Sequence, residues 1–267
     1  YCEYEITAPS ECPDCKFGGI RYSGLGTQKL EDEVAARFPE YVCVRMDTDT
    51  MRRPGSHQAA LTAFREGAAQ ILLGTQMIAK GLDFPNVTLV GVINADTALH
   101  LPDFRAAERT FQLVTQVAGR TGRGEKGGQV VVQTFSPDHP AIVAATRHDY
   151  EAFTQHELPA REFAKYPPFA SLVRIVFRGE DEQVTGLVAE EYTKSLSRIA
   201  EAHDDEIRVR GPAPAPFAKL RGCYRFHLQM QSTNVAAIRQ IVFEVAAEVK
   251  LPDKVTWTID VDPVDML

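Results

Sequence analysis

Gln116, Arg120 and Arg123 stand in the stretch QVAGRTGRG (116–124), interleaved with Gly119, Gly122 and Gly124. A guanidinium is planar and always charged, so two of them can reach across a cleft and brace charge on a transferring phosphoryl group. An arginine in that role contributes ~10³–10⁵ in rate. The glycines let the backbone turn tightly and approach a ligand without a Cβ in the way. Taken alone, the stretch also fits a basic turn closing a helix, where Gly and Arg are both common.

The upstream segment ILLGTQMIAKGLDFPNVTLVGVINAD (71–96) supports the polyphosphate reading. Its apolar runs 71–73 and 89–93, separated by a helical stretch, predict strands of a parallel sheet covered on both faces. Gly74 and Thr75 then fall just beyond a strand's carboxyl end, where open α/β sheets place ligands. Gly81 and Asp83 form a polar loop before the next strand, suited to a ribose or phosphate neighbour.

These residues need elements to hold them. The periodicity predicts a helix over 27–38, with Thr27 as cap and Leu30, Val34 and Phe38 on one face. A strand near 42–46, a helix near 57–66 and strands at 70–73, 88–94 and 128–134 follow. A helix over 105–118 turns Phe111, Val114 and Val117 inward and Arg105, Glu108 and Gln112 outward. Helical stretches over 138–164 lead to Tyr166-Pro167-Pro168. Beyond them, strand 170–178, helix 182–202, strands 206–210 and 223–231, helix 233–249 and strand 254–261 give β-α-β-β-α-β, the split βαβ order of ferredoxin-like folds.

Segments 71–96, LPDFRAAERTFQLVTQVAGRTGRGEKGGQVVVQT (101–134) and DTDTMRR (47–53) resemble the PriA family of bacterial replication-restart helicases. The similarity continues through YPPF (166–169), GPAPAPFAKLRGCYRF (211–226) and TIDVDP (258–263). The resemblance implies an α/β, RecA-like second motor lobe of a superfamily-2 DNA helicase, preceded by a zinc-knuckle remnant and followed by a small α+β domain. The implied boundaries are 1–20 for the zinc segment, 21–150 for the lobe, 151–168 for a connector and 169–267 for the C-terminal domain.

Carried over to this chain, Arg120 and Arg123 are catalytic, and Gly81, Asp83, Gln116 and Gly119 bind ATP with its magnesium. Thr75, Gln76 and Arg52 contact DNA, joined by Arg221, Tyr224 and Arg225 of the C-terminal domain. The implied partners are forked and single-stranded DNA, the single-stranded-DNA-binding protein and primosome components, for a cytoplasmic monomer. No G-x-x-x-x-G-K-[ST] phosphate loop occurs. In the family it lies on a first motor lobe, so this chain by itself is expected not to hydrolyse ATP. A non-enzymatic fork adaptor and another superfamily-2 translocase are the competing readings.

Cys12 and Cys15 have C-x₂-C zinc spacing, but a structural zinc takes four ligands. By resemblance Cys2, Cys12 and Cys15 ligate zinc in two different sites of the intact protein, sites that are incomplete within this sequence. Cys43 and Cys223 are expected as small buried hydrophobes. Five cysteines in this pattern do not make a secreted disulfide framework. No run of eighteen apolar residues predicts a membrane span.

A net charge of −7 argues against a surface that grips nucleic acid everywhere. The distribution is uneven. Residues 207–243 hold six Lys and Arg and no acid, whereas 147–206 hold thirteen acids against seven bases. The basic segment, with Phe217, Tyr224, Phe226 and His227 among its arginines, fits a backbone-tracking and base-stacking surface. The strict alternation of CYRFHLQMQ (223–231) fits equally a strand pair with aromatics in the core and arginines in water. The resemblance implies a richer basic-aromatic strand, with Arg and Gln expected where Cys223 and His227 stand here.

Overall fold

The computed structural model describes residues 11, 16, 26–47, 50–52, 55–75, 78, 84, 86–119 and 127–266. The chain divides into two units: residues 7–99 with 108–149, and residues 1–6 with 100–107 and 150–267.

The first unit contains helix α1 (Thr27–Arg37), strand β1 (Cys43–Met46), a 3₁₀ turn (Thr50–Arg52), α2 (Ser56–Arg65), β2 (Ile71–Gly74), β3 (Leu89–Val92) and α3 (Asp96–Leu99). Helix α4 (Ala106–Ala118), β4 (Gln129–Val132) and α5 (Pro140–Thr146) follow, α4 beginning in the segment assigned to the second unit. β1 pairs with β2 and β3 with β4, both in parallel. Among the described residues these are two separate two-stranded ladders rather than one sheet.

β3 and β4 alternate exposed and half-buried positions. The run LVGV therefore faces a core on one side only, although its sequence suggested burial on both. Two of the outward positions are themselves apolar: Leu89 is 60% and Val131 51% exposed. Apolar residues on both faces of a strand erase the period-two signal that would have shown one open side.

Met46, Ala60 and Leu61 form a small core, with Val44, Met51, Leu72, Ile78 and Phe84 packed on it. Helix α1 buries no residue fully, and Phe38 is exposed at its C-cap. Thr27 is not the cap expected from sequence: Gly26 holds that position, and the Thr27 hydroxyl donates to Asp47 instead.

The second unit adds α6 (Tyr150–Ala164), β5 (Ser171–Gly179), α7 (Glu182–Glu201), β6 (Arg208–Leu220), β7 (Cys223–Ser232), α8 (Val235–Glu248) and β8 (Val255–Val261). Its antiparallel sheet has the order β6-β7-β5-β8. Asp181 caps α7 by accepting from the Val184 amide, and Asn234 caps α8 by accepting from Ala236 and Ala237. One core joins Val173, Ile175 and Phe177 of β5 and Leu228 and Met230 of β7 to apolar residues of α7 and α8. Both helices thus cover the same face of the sheet.

Strand β6 runs ten residues past its expected end. Its Pro212, Pro214 and Pro216 cannot donate to a ladder, but β6 is an edge strand, where a missing N–H does no harm. Register shifts between Arg210 and Ala213 and between Pro214 and Lys219 absorb the mismatch. No described helix is long and apolar enough to cross a membrane.

Candidate functional site

Helix α4 places Gln116 and Gly119. Phe111 and Val114 are buried on its inner side, while exposed Gln112 donates to Glu108 one turn back. Gln116 is half-buried on the last turn, and the Gly119 amide still bonds the Thr115 carbonyl at 3.0 Å. Helix geometry therefore carries the chain up to the residue before Arg120. Arg120, Arg123, Gly81, Asp83 and Gln76 lie outside the described residues, as do Cys2, Cys12 and Cys15.

Thr75 is exposed immediately after β2, and its carbonyl accepts from the Ile78 amide at 3.1 Å, starting a turn. The residue before it has to be glycine. A Cβ at Gly74 would stand 2.6 Å from the Met46 carbonyl oxygen and 2.8 Å from Ile78. Close packing of the β1 and β2 ends thus sets the position of Thr75.

Arg52 ends the 3₁₀ turn, which is held from below by Asp47. That carboxylate accepts from the Thr27 hydroxyl at 2.6 Å and the Thr50 amide at 2.9 Å, and pairs with Arg45 Nε at 3.0 Å. Arg45 reaches on to Glu31 at 3.1 Å. The Thr27 hydroxyl first, then the Thr50 amide, holds the Asp47 carboxyl down at about 2. Asp47 is thus a strut joining α1, β1 and the turn. Asp96, which the sequence reading passed over, plays a similar part: it accepts from the Thr134 hydroxyl and the Phe135 amide, each at 2.9 Å. Burial pushes its carboxyl up, but these hydrogen bonds outweigh burial and leave it lowered.

In the second unit Leu220 pairs with Cys223, so Arg221 and Gly222 form a two-residue hairpin turn with φ of 51° and 76°. Positive φ at both positions matches a type I′ turn, and Gly222 supplies it without strain. Arg221 is exposed at the tip. Beside it Lys219 Nζ lies 4.6 Å from the centre of the half-buried Tyr224 ring. Arg225 points differently. It is buried at 8% exposure, and its guanidinium reaches the Phe217 carbonyl at 3.4 Å.

Register shows where the remaining basic residues go. Arg178 pairs with Arg225, Val176 with His227 and Arg174 with Gln229, while Arg210 and Arg208 of β6 oppose Gln229 and Gln231. All of these alternate with the core positions, so they share the sheet face away from the helices. His227 Nδ1 accepts from Arg174 Nε at 3.2 Å, which requires a neutral imidazole. Burial, then the charges of Arg174 and Arg225, lowers His227 to about 4. Arg174 and Arg178 lie in the acid-rich stretch 147–206, so the charge distribution along the chain does not mark them. The alternation within LVRIVFR was the signal that could have found them. Cys43 and Cys223 are half-buried rather than buried, and burial, followed by Glu31, raises the Cys43 thiol.

Two segments of the chain match two protein-family descriptions. Residues 25–125 match a helicase conserved C-terminal domain and residues 162–264 a primosomal protein N C-terminal domain. The chain therefore joins a helicase C-terminal domain to a domain found in primosomal proteins. Over its whole length it is 43% identical to the replication restart protein PriA of Bacillus subtilis, covering 33% of that protein. It is 42% identical to that of Treponema pallidum and 38% to that of Synechocystis, covering 40% and 31% of them. The chain belongs to the replication restart protein PriA family. It spans about a third of the length of these relatives.

Proposed function

We propose that the chain supplies the second motor lobe and C-terminal domain of an ATP-dependent DNA helicase that restarts stalled replication forks and helps load the primosome. The observation that carries this reading is the match, across the whole chain, to proteins named for replication restart. Helix α4, which delivers Gln116 and Gly119 to the motif QVAGRTGRG, adds support.

In this reading Arg120 and Arg123 contact the terminal phosphates of magnesium-bound ATP and oppose charge building on the transferred group. Gln116, Gly119, Gly81 and Asp83 line the nucleotide, with Asp83 on the ribose side. The phosphate-cradling loop comes from a first lobe. Thr75, Gln76 and Arg52 hold a DNA phosphate; the exposed position of Thr75 beyond a parallel strand supports its part in this. Arg221 and Tyr224 meet DNA at the hairpin tip, and Arg225 stiffens that hairpin through its bond to the Phe217 carbonyl. Cys12 and Cys15 supply two thiolates to one zinc and Cys2 one to another, which metal analysis of the full-length protein tests directly. Single-stranded-DNA-binding protein and primosome components are the proposed partners of the monomer.

The decisive variant is Arg120→Ala in the full-length protein. DNA-stimulated ATP hydrolysis is expected to fall by ~10³-fold or more with ATP binding retained. Unchanged turnover would remove Arg120 from the site.

A further inference from the structure

The segment 100–107, which leads into α4, belongs to the same unit as residues 150–267. Three of its residues are fixed there. One oxygen of buried Asp103 accepts from the Arg105 amide at 2.9 Å, and the other accepts from the Met266 amide at 3.1 Å. The Asp103 carbonyl accepts from the Ala106 amide at 2.9 Å, opening the helix. Arg105 donates to the Pro263 carbonyl at 2.6 Å. Between them Phe104 stacks on Tyr166, with centroids 4.6 Å apart and rings within 5° of parallel. The guanidiniums of Arg105 and Arg161 lie 4.1 and 5.4 Å from the Phe104 ring centre.

The residues leading into α4 are thus tied to the chain's 263–266 segment by two hydrogen bonds, while the last turn of the helix carries Gln116. Ten residues of α-helix span ~15 Å, and α4 is continuous from Ala106 to Ala118. Nothing in local helix formation requires the Arg105–Pro263 bond or the second oxygen of Asp103. Both are spent on fixing where the helix begins.

We propose that Asp103 and Arg105 are positioning residues for ATP turnover: they anchor the helix that carries Gln116 to the 263–266 segment. This rests on the reading of QVAGRTGRG as a nucleotide site, but the anchor has its own readout.

The test uses the full-length protein with Asp103→Asn, Arg105→Gln and the conservative Arg105→Lys, which keeps a donor for the Pro263 carbonyl. Hydrogen exchange is followed over 106–119 and 262–266, alongside kcat and KM for ATP with forked DNA. Losing one such bond is expected to speed exchange by about tenfold in both segments together and to lower kcat by a similar factor. KM for ATP should stay within about twofold, and Arg105→Lys should recover most of kcat. Faster exchange confined to 262–266, or kcat and KM changing together without rescue by lysine, overturns the proposal. If the wild type shows no DNA-stimulated turnover, the nucleotide reading fails, and joint exchange of the two segments still decides whether the anchor exists.

Discussion

Asp47 and His227 show opposite ways of holding a titratable group. Asp47 is charged and satisfied by a hydroxyl, an amide and a guanidinium, so its folded pKa of about 2 lies below the ordinary 3.8. Its stabilisation is present above the unfolded value and is lost as pH falls through about 2. Asp47→Asn should destabilise the first unit by ~1–3 kcal/mol near neutral pH, measured by hydrogen exchange in β1 and the 3₁₀ turn. No change would mean that Thr27, Thr50 and Arg45 do not depend on the charge. His227 is neutral and desolvated, lowered from 6.5 to about 4. The unfolded chain takes up that proton first. Stability should therefore be full above pH 6.5 and fall on the way down to about pH 4, by at most ~1.4 kcal/mol per pH unit. Urea unfolding followed through Trp257, which packs on this core, should show that slope. His227→Gln should lack the His227 contribution to it, and equal slopes for both proteins would contradict the assignment.

At the scale of elements, strong periodicity translated directly into structure. The alternation of CYRFHLQMQ became β7, and the apolar stripe of α4 became its buried Phe111 and Val114. Two features were hidden for physical reasons. Prolines at 212, 214 and 216 look like strand breakers, yet an edge strand tolerates them, and edge position is a property of the whole sheet. The bond from Arg105 to Pro263 joins residues 158 positions apart, which no local pattern records. The candidate nucleotide motif is a reading of neighbouring residues in the sequence alone, since Arg120 and Arg123 lie outside the described residues. The basic sheet face was only half legible, since Arg174 and Arg178 lie on a strand distant in sequence from the charge-rich segment. The hairpin tip invites its own test. Substituting Lys219→Ala with Arg221→Ala removes two exposed or half-exposed charges, and should weaken forked-DNA binding several-fold and flatten its salt dependence by about two charges. An unchanged salt slope would place the DNA elsewhere.

At the scale of the molecule, a family relationship covering the whole chain meets two units built on different principles. One carries parallel two-stranded ladders whose ends present Thr75, and a helix that delivers Gln116. The other is an antiparallel sheet with helices on one face and arginines on the other. The most direct measurement is ATP hydrolysis by the full-length protein with forked DNA, plain duplex and structured RNA at one ionic strength. Forked DNA should stimulate turnover well above both competitors, and Arg120→Ala should abolish the stimulation. Equal turnover with all three nucleic acids, or none with any, would contradict a replication-restart motor.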